Sequence, residues 1–170
     1  MSERFVMLLN NPTRSLYFWF IPIIFALHNA EEYYFFPEIK YFRPVQMEEN
    51  MLQSKHFFLA ILILTVFVCA VVLIHNLFLK KVTLYVILFT QAMIFMNGIV
   101  HLVGAILKRG YVPGLGTALF LVIPFSLFLF WRGNVVGWWK WKHVWISCII
   151  GILLMFPILV SLLYIIRTIV

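Results

Sequence analysis

Four stretches of this chain run for more than twenty residues without one Asp, Glu, Lys or Arg: 56–79, 82–107, 110–131 and 143–166. An α-helix rises about 1.5 Å per residue, so each stretch can cross the roughly 30 Å of a bilayer's hydrocarbon. In that medium the backbone must satisfy its own hydrogen bonds, and such runs read as transmembrane helices. Composition agrees. Of 170 residues, 64% are hydrophobic and 11% charged, with mean hydropathy +1.02, whereas an ordinary globular domain carries about 25% charge. The expected architecture is an all-α polytopic membrane helical bundle, one integral membrane domain over residues 1–170.

A fifth apolar run, between Ser15 and Pro37, reads LYFWFIPIIFALHNAEEYYFF and is broken by His28, Glu31 and Glu32. Acidic groups at membrane depth are costly, so each is a functional hypothesis. Counting this run, about five transmembrane helices are expected, near 12–36, 55–79, 82–107, 115–132 and 144–167. Asn11 can cap the first, Pro12 suits its first position, Pro22 should kink it and Pro37 should stop it. Residues 2–10 read as a short interfacial helix. Pro124 and Pro157 fall inside the fourth and fifth spans.

The formal net charge is +7, but the basic residues flank apolar runs, as topology signals and headgroup contacts do. Nucleic acid is therefore excluded as a partner, and membrane lipid is expected. With the N-terminus inside, the basic residues divide seven against six between the two faces, which barely orients the chain. The cell membrane is the expected location. Cys69 and Cys148 lie in apolar runs and imply neither a disulfide framework nor a cysteine metal site. His-Asn-Ala-Glu-Glu follows the first run where a cleavage site would stand, so no cleavable signal peptide is expected. The stretch from Trp131 to Trp145 reads as an interfacial aromatic belt with basic anchors.

Topology brings the polar residues together. Spans one and three run in the same direction, so His28, Glu31 and Glu32 share a membrane face with Asn97 and His101. By helical rise, Glu32 lies roughly 6 Å and His101 roughly 9 Å below their helix ends. The 110–114 loop opens on the same face, as does His56; His75 and His143 belong to the other. His28, Glu31 and Glu32 are related by i+3 and i+4 and should project from one side of their helix. Two carboxylates this close need a compensating metal ion, a protonated histidine or a shared proton.

His28-Asn29-Ala30-Glu31-Glu32 resembles the motif of the HXXEE family of multi-pass membrane proteins. Asn97 to His101 is similar to that family's NXXXH motif, and Tyr111-Val112-Pro113-Gly114 to its YXPG motif, in the same order. The family has no established activity. The resemblance therefore implies a shared site, made of His28, Glu31, Glu32, Asn97, His101, Tyr111, Pro113 and Gly114, and not a reaction.

Read chemically, these residues suit a membrane-embedded enzyme acting on a lipid-like, amphiphilic substrate. In the first version His28, His101 and one or both of Glu31 and Glu32 bind a divalent metal, zinc or iron, with the remaining glutamate as general base. Asn97 and Tyr111 orient substrate or stabilise developing negative charge. A metal-free version uses Glu31 or Glu32 as base, with His101 and Asn97 at the oxyanion. Other classes are a proton- or metal-coupled carrier and an accessory membrane subunit. Tyr111 to Gly114 also has a local role as a turn, with Pro113 at its second position and Gly114 where positive φ is needed.

Overall fold

The structure, a computed structural model, describes residues 16–35 and 54–169. Among the described residues there are five helices and no strand. A 3-10 turn, Leu16–Trp19, leads into α1, Phe20–Tyr34. The others are α2, Ser54–Phe78; α3, Lys81–Lys108; α4, Leu115–Val136; and α5, Trp141–Ile169. Helices α2 to α5 are each long and apolar enough to cross a membrane. The protein is an all-α polytopic membrane bundle, with all four of these helices close to the expected bounds.

The first span differs. Its α-helical part has 15 residues, about 22 Å, and the 3-10 turn adds about 8 Å. Pro22 does not kink a continuous helix. It sits in the first turn of α1, where a missing N–H breaks no helical hydrogen bond, and the chain before it winds as the 3-10 turn. Asn11, Pro12, Pro37 and the 2–10 segment lie outside the described residues.

Proline also shapes α4. Residues Ala118–Val122 form a π segment immediately before Pro124. Proline lacks the N–H that would continue the α ladder, and a widened turn absorbs the defect. The Ser126 hydroxyl donates to the Val122 carbonyl at 2.6 Å, and Gln91 Nε2 donates to Ser126 Oγ at 2.6 Å. The Gln91–Ser126 hydrogen bond is a polar link that joins α3 to α4 in the core.

The helices alternate in direction. Phe18, ahead of α1, packs edge-on against His75 near the end of α2, with ring centroids 5.2 Å apart. Near the other end of α1, Asn29 Nδ2 donates to Thr65 Oγ1 of α2 at 2.9 Å. Tyr85 of α3 meets His143 of α5, at 5.2 Å between centroids, so those two helices start at the same end. Leu163 and Ile166 of α5 cluster with Phe57, Ala60 and Ile61 of α2 at the opposite end. The near end therefore carries the C-termini of α1, α3 and α5 and the N-termini of α2 and α4. Small residues let the helices close up. A Cβ on Gly151 of α5 would lie 3.3 Å from the Met93 backbone of α3, and one on Gly98 of α3 would lie 3.1 Å from Val122 of α4.

The far end holds the tryptophan-rich stretch, but only part of it forms a belt. Trp131, Trp141 and Trp145 are exposed. Trp138 and Trp139 instead turn inward beside Phe18, and Trp139 Nε1 donates to the Phe130 carbonyl at 3.2 Å. The turn at Gly137 aims them there: its φ of +83° reverses the chain after α4. Both cysteines are free.

Candidate functional site

The near end gathers the polar side chains. Residues 110–114 link α3 to α4 through a tight turn, closed by the Leu115 N–H on the Val112 carbonyl at 2.9 Å. Pro113 and Gly114 occupy its central positions, Gly114 at φ +86°, as the sequence leads one to expect. The turn sets Gly114 at the start of α4 and against two imidazoles. A Cβ there would lie 2.9 Å from His101 Cε1 and 3.0 Å from His28 Cε1. The glycine of YXPG is thus required twice, for its backbone angle and for the space the rings occupy.

His28 is fully buried between α1, α3 and α4. Its Nδ1 is 2.8 Å from Thr117 Oγ1, and its Nε2 accepts from Asn97 Nδ2 at 2.9 Å. His101 lies edge-on to it, with ring centroids 5.0 Å apart. Glu32 Oε1 is 2.7 Å from His101 Nε2 and 3.4 Å from His28 Nε2. One ligand atom from each of His28, Glu32 and His101 falls within 4.8 Å of the other two, a spacing that can hold a metal ion. His101 Nδ1 is buried beside the Pro113 carbonyl, short of good hydrogen-bond geometry.

Glu31 faces elsewhere. Its Oε1 accepts from the Gly116 N–H at 3.0 Å and its Oε2 from the Thr117 N–H at 2.7 Å. The Tyr111 hydroxyl donates to the same carboxylate. The free N–H groups and dipole at a helix N-terminus favour an anion, and α1 supplies one to α4 in this way. Adjacent helical positions point about 100° apart, so the two glutamates separate, Glu32 toward α3 and Glu31 toward α4. The expectation that His28, Glu31 and Glu32 work from one side is corrected to that extent. Glu31 lies outside the converging ligand atoms, and Tyr111 and Asn97 meet Glu31 and His28 respectively.

His56 is buried on α2 at the near end, as expected, but it is not part of the ligand group. His75 and His143 belong to the far end; His75 Nδ1 pairs with Thr83 Oγ1 at 2.8 Å, and His143 Nδ1 accepts from the Lys140 N–H at 3.2 Å. Sequence reasoning missed Gly116 and Thr117. The available signal was a helix beginning just after the YXPG turn, on the face that carries the glutamates, because a helix start seeks an anion.

A cavity of about 600 Å³ opens on the other flank of α1, between α1 and α2. It is lined by Ala26, Ala30, Tyr33, Phe58 and Leu62 among others, with Asn29 and Thr65 as polar members. It does not include the His28–Glu32–His101 group.

Fold and site together define a class: a multi-pass α-helical membrane protein with a histidine–glutamate cluster inside one end of its bundle. Residues 19–129 match the family model described as a protein of unknown function with HXXEE motif, and the chain belongs to that family. Comparison with curated proteins and with solved structures returned no match.

Proposed function

We propose that this chain is a membrane-embedded, metal-dependent enzyme in which His28, Glu32 and His101 hold a divalent ion, zinc or iron. The supporting observation is the convergence of three ligand atoms within 4.8 Å of one another, with both imidazole Nε2 atoms aimed at the same Glu32 oxygen. Two histidines and one carboxylate are a donor set that both ions use in catalytic sites with open positions. The second nitrogen of His28 is hydrogen-bonded outward, as those of ligand histidines commonly are, while that of His101 is buried without a hydrogen bond. His28 Nδ1 has Thr117 Oγ1 and His101 Nδ1 faces the Pro113 carbonyl.

A bound ion would polarise a substrate oxygen or activate water. The chain's own groups do the rest. Asn97, against His28 Nε2, is placed to orient a ligand at the open side. Glu31, with Tyr111, Gly116 and Thr117, locks α1 to α4 and keeps the cluster in register. Glu32 and His101 are only partly exposed, and the half-exposed Tyr111 contacts the adjacent Glu31. A partly exposed polar cluster at the end of an apolar bundle would suit an amphiphilic lipid-like substrate whose polar group reaches it while its tail stays in lipid. The cell membrane is the proposed location.

A second reading rests on the 2.7 Å contact between His101 Nε2 and Glu32. Without an ion that contact is a hydrogen bond, and the pair would act as acid and base on the same class of substrate. Metal analysis of the purified chain, prepared without chelators, separates the two. The metal reading expects stoichiometric zinc or iron in the wild type and its loss in Glu32→Gln and His101→Ala. A wild type free of metal would leave the acid–base reading.

A further inference from the structure

Thr117 stands outside all three sequence motifs, yet it contacts two residues of the first. Its backbone N–H donates to Glu31 at 2.7 Å, and its hydroxyl oxygen lies 2.8 Å from His28 Nδ1. The hydroxyl has one proton, for which the Gly114 carbonyl 3.4 Å away is an acceptor when the oxygen itself accepts from Nδ1. That pairing goes with an imidazole proton on Nδ1. On the far side of the ring Asn97 Nδ2 donates to Nε2 at 2.9 Å, which requires a lone pair there. The Asn97 contact selects that tautomer and the Thr117 hydroxyl accepts its proton, an assignment made from the hydrogen-bond network.

The consequence lies at Glu32. A histidine in that form has one lone pair on Nε2, which Asn97 engages, and Glu32 Oε1 lies 3.4 Å from the same nitrogen. The Asn97 N–H is the positive group on that nitrogen here, and a bound ion would take its place. The geometry points to Thr117 as a positioning residue that holds His28 as the Nδ1–H tautomer, with Nε2 aimed into the ligand group. This inference rests on the metal reading for its purpose, although the tautomer itself does not. Valine at 117 would keep the shape and the backbone N–H to Glu31. With Nδ1 left without an acceptor, the Asn97 amide can turn over and let His28 carry its proton on Nε2, withdrawing the ligand lone pair.

The test uses the full chain in lipid nanodiscs, as wild type, Thr117→Val and Thr117→Ser. Cobalt(II) titration, followed by visible absorption, reads the ligand group. Loss of an outer partner of a metal-ligating histidine costs about 10–100-fold in affinity, and Thr117→Val should fall in that range. Thr117→Ser, which restores the hydroxyl, should recover most of the affinity. A second readout needs no metal: the nitrogen chemical shifts of His28 in chelator-treated chain, assigned by their loss in His28→Gln. The wild type and the serine variant should show a protonated Nδ1 and a bare Nε2, and the valine variant should not. A wild-type His28 protonated on Nε2, or a valine variant that binds cobalt like the wild type, overturns the inference. A wild type that takes no cobalt sinks the metal reading instead, and the nitrogen shifts then decide the positioning role alone. If the valine variant does not assemble, the shifts of the wild type still decide it.

Discussion

Replacing Gly114 by alanine presses one methyl group against both imidazoles of the site. The added Cβ would lie 2.9 Å from His101 Cε1, 3.0 Å from His28 Cε1 and 3.1 Å from His101 Nδ1, inside the 3.4–4 Å of ordinary contact. Neither ring can retreat freely. His28 is held between Thr117 and Asn97, and His101 between Glu32 and the 113–114 turn. Overpacking of this kind costs about 1–3 kcal/mol. The residue also sits at φ +86°, which costs an L side chain about 1–2 kcal/mol. The sum is about 2–5 kcal/mol. Gly137 supplies the control: it has φ +83° but nothing within 4 Å of a built Cβ, and it lies at the far end. Gly137→Ala should show the backbone cost alone, about 1–2 kcal/mol, and bind metal as the wild type does. Equilibrium unfolding in mixed micelles measures the first quantity, and cobalt titration the second. Gly114→Ala should lose about 1–3 kcal/mol more than Gly137→Ala and bind cobalt measurably more weakly. Equal stabilities with unchanged cobalt affinity would refute the packing of Gly114 on the two rings.

Glu31→Gln removes the anion at the start of α4, and its amide cannot accept from the Gly116 and Thr117 N–H groups with both of its ends. A stability loss of about 1–3 kcal/mol is expected in the same unfolding assay, with metal content retained. Metal loss in Glu31→Gln equal to that in Glu32→Gln would contradict the division of roles between the two glutamates. Metal binding should also weaken on acidification. Protons compete with the ion for imidazole and carboxylate ligands, so affinity falls as the pH drops. A cobalt affinity flat from pH 8 to pH 5.5 would argue that imidazoles are not ligands.

Much of this was legible residue by residue. The four charge-free runs became α2 to α5 because hydrocarbon selects on the content of each segment, almost regardless of its neighbours. The parity of the spans placed His28, Asn97 and His101 at one end, and the structure brings them within hydrogen-bond or ring contact. Pro113 and Gly114 formed the expected turn, since that signal is local. The misses have one origin. Pro22 begins a helix, Trp138 and Trp139 turn into the core, and α1 is shorter than its apolar run. Each depended on which surface the segment meets.

The sequence by itself determined a multi-pass helical bundle, the three motifs at one end of it, and the cost of two adjacent carboxylates at membrane depth. Those follow from composition, from helical rise and from the direction in which successive spans must run. Only the tertiary structure decided that Glu32 turns to the histidines while Glu31 caps α4, and that Thr117 holds His28. Neighbouring side chains on one helix point about 100° apart, so their partners depend on which helices flank them. That arrangement is set by packing across the whole bundle, here between residues as many as 89 positions apart in the chain.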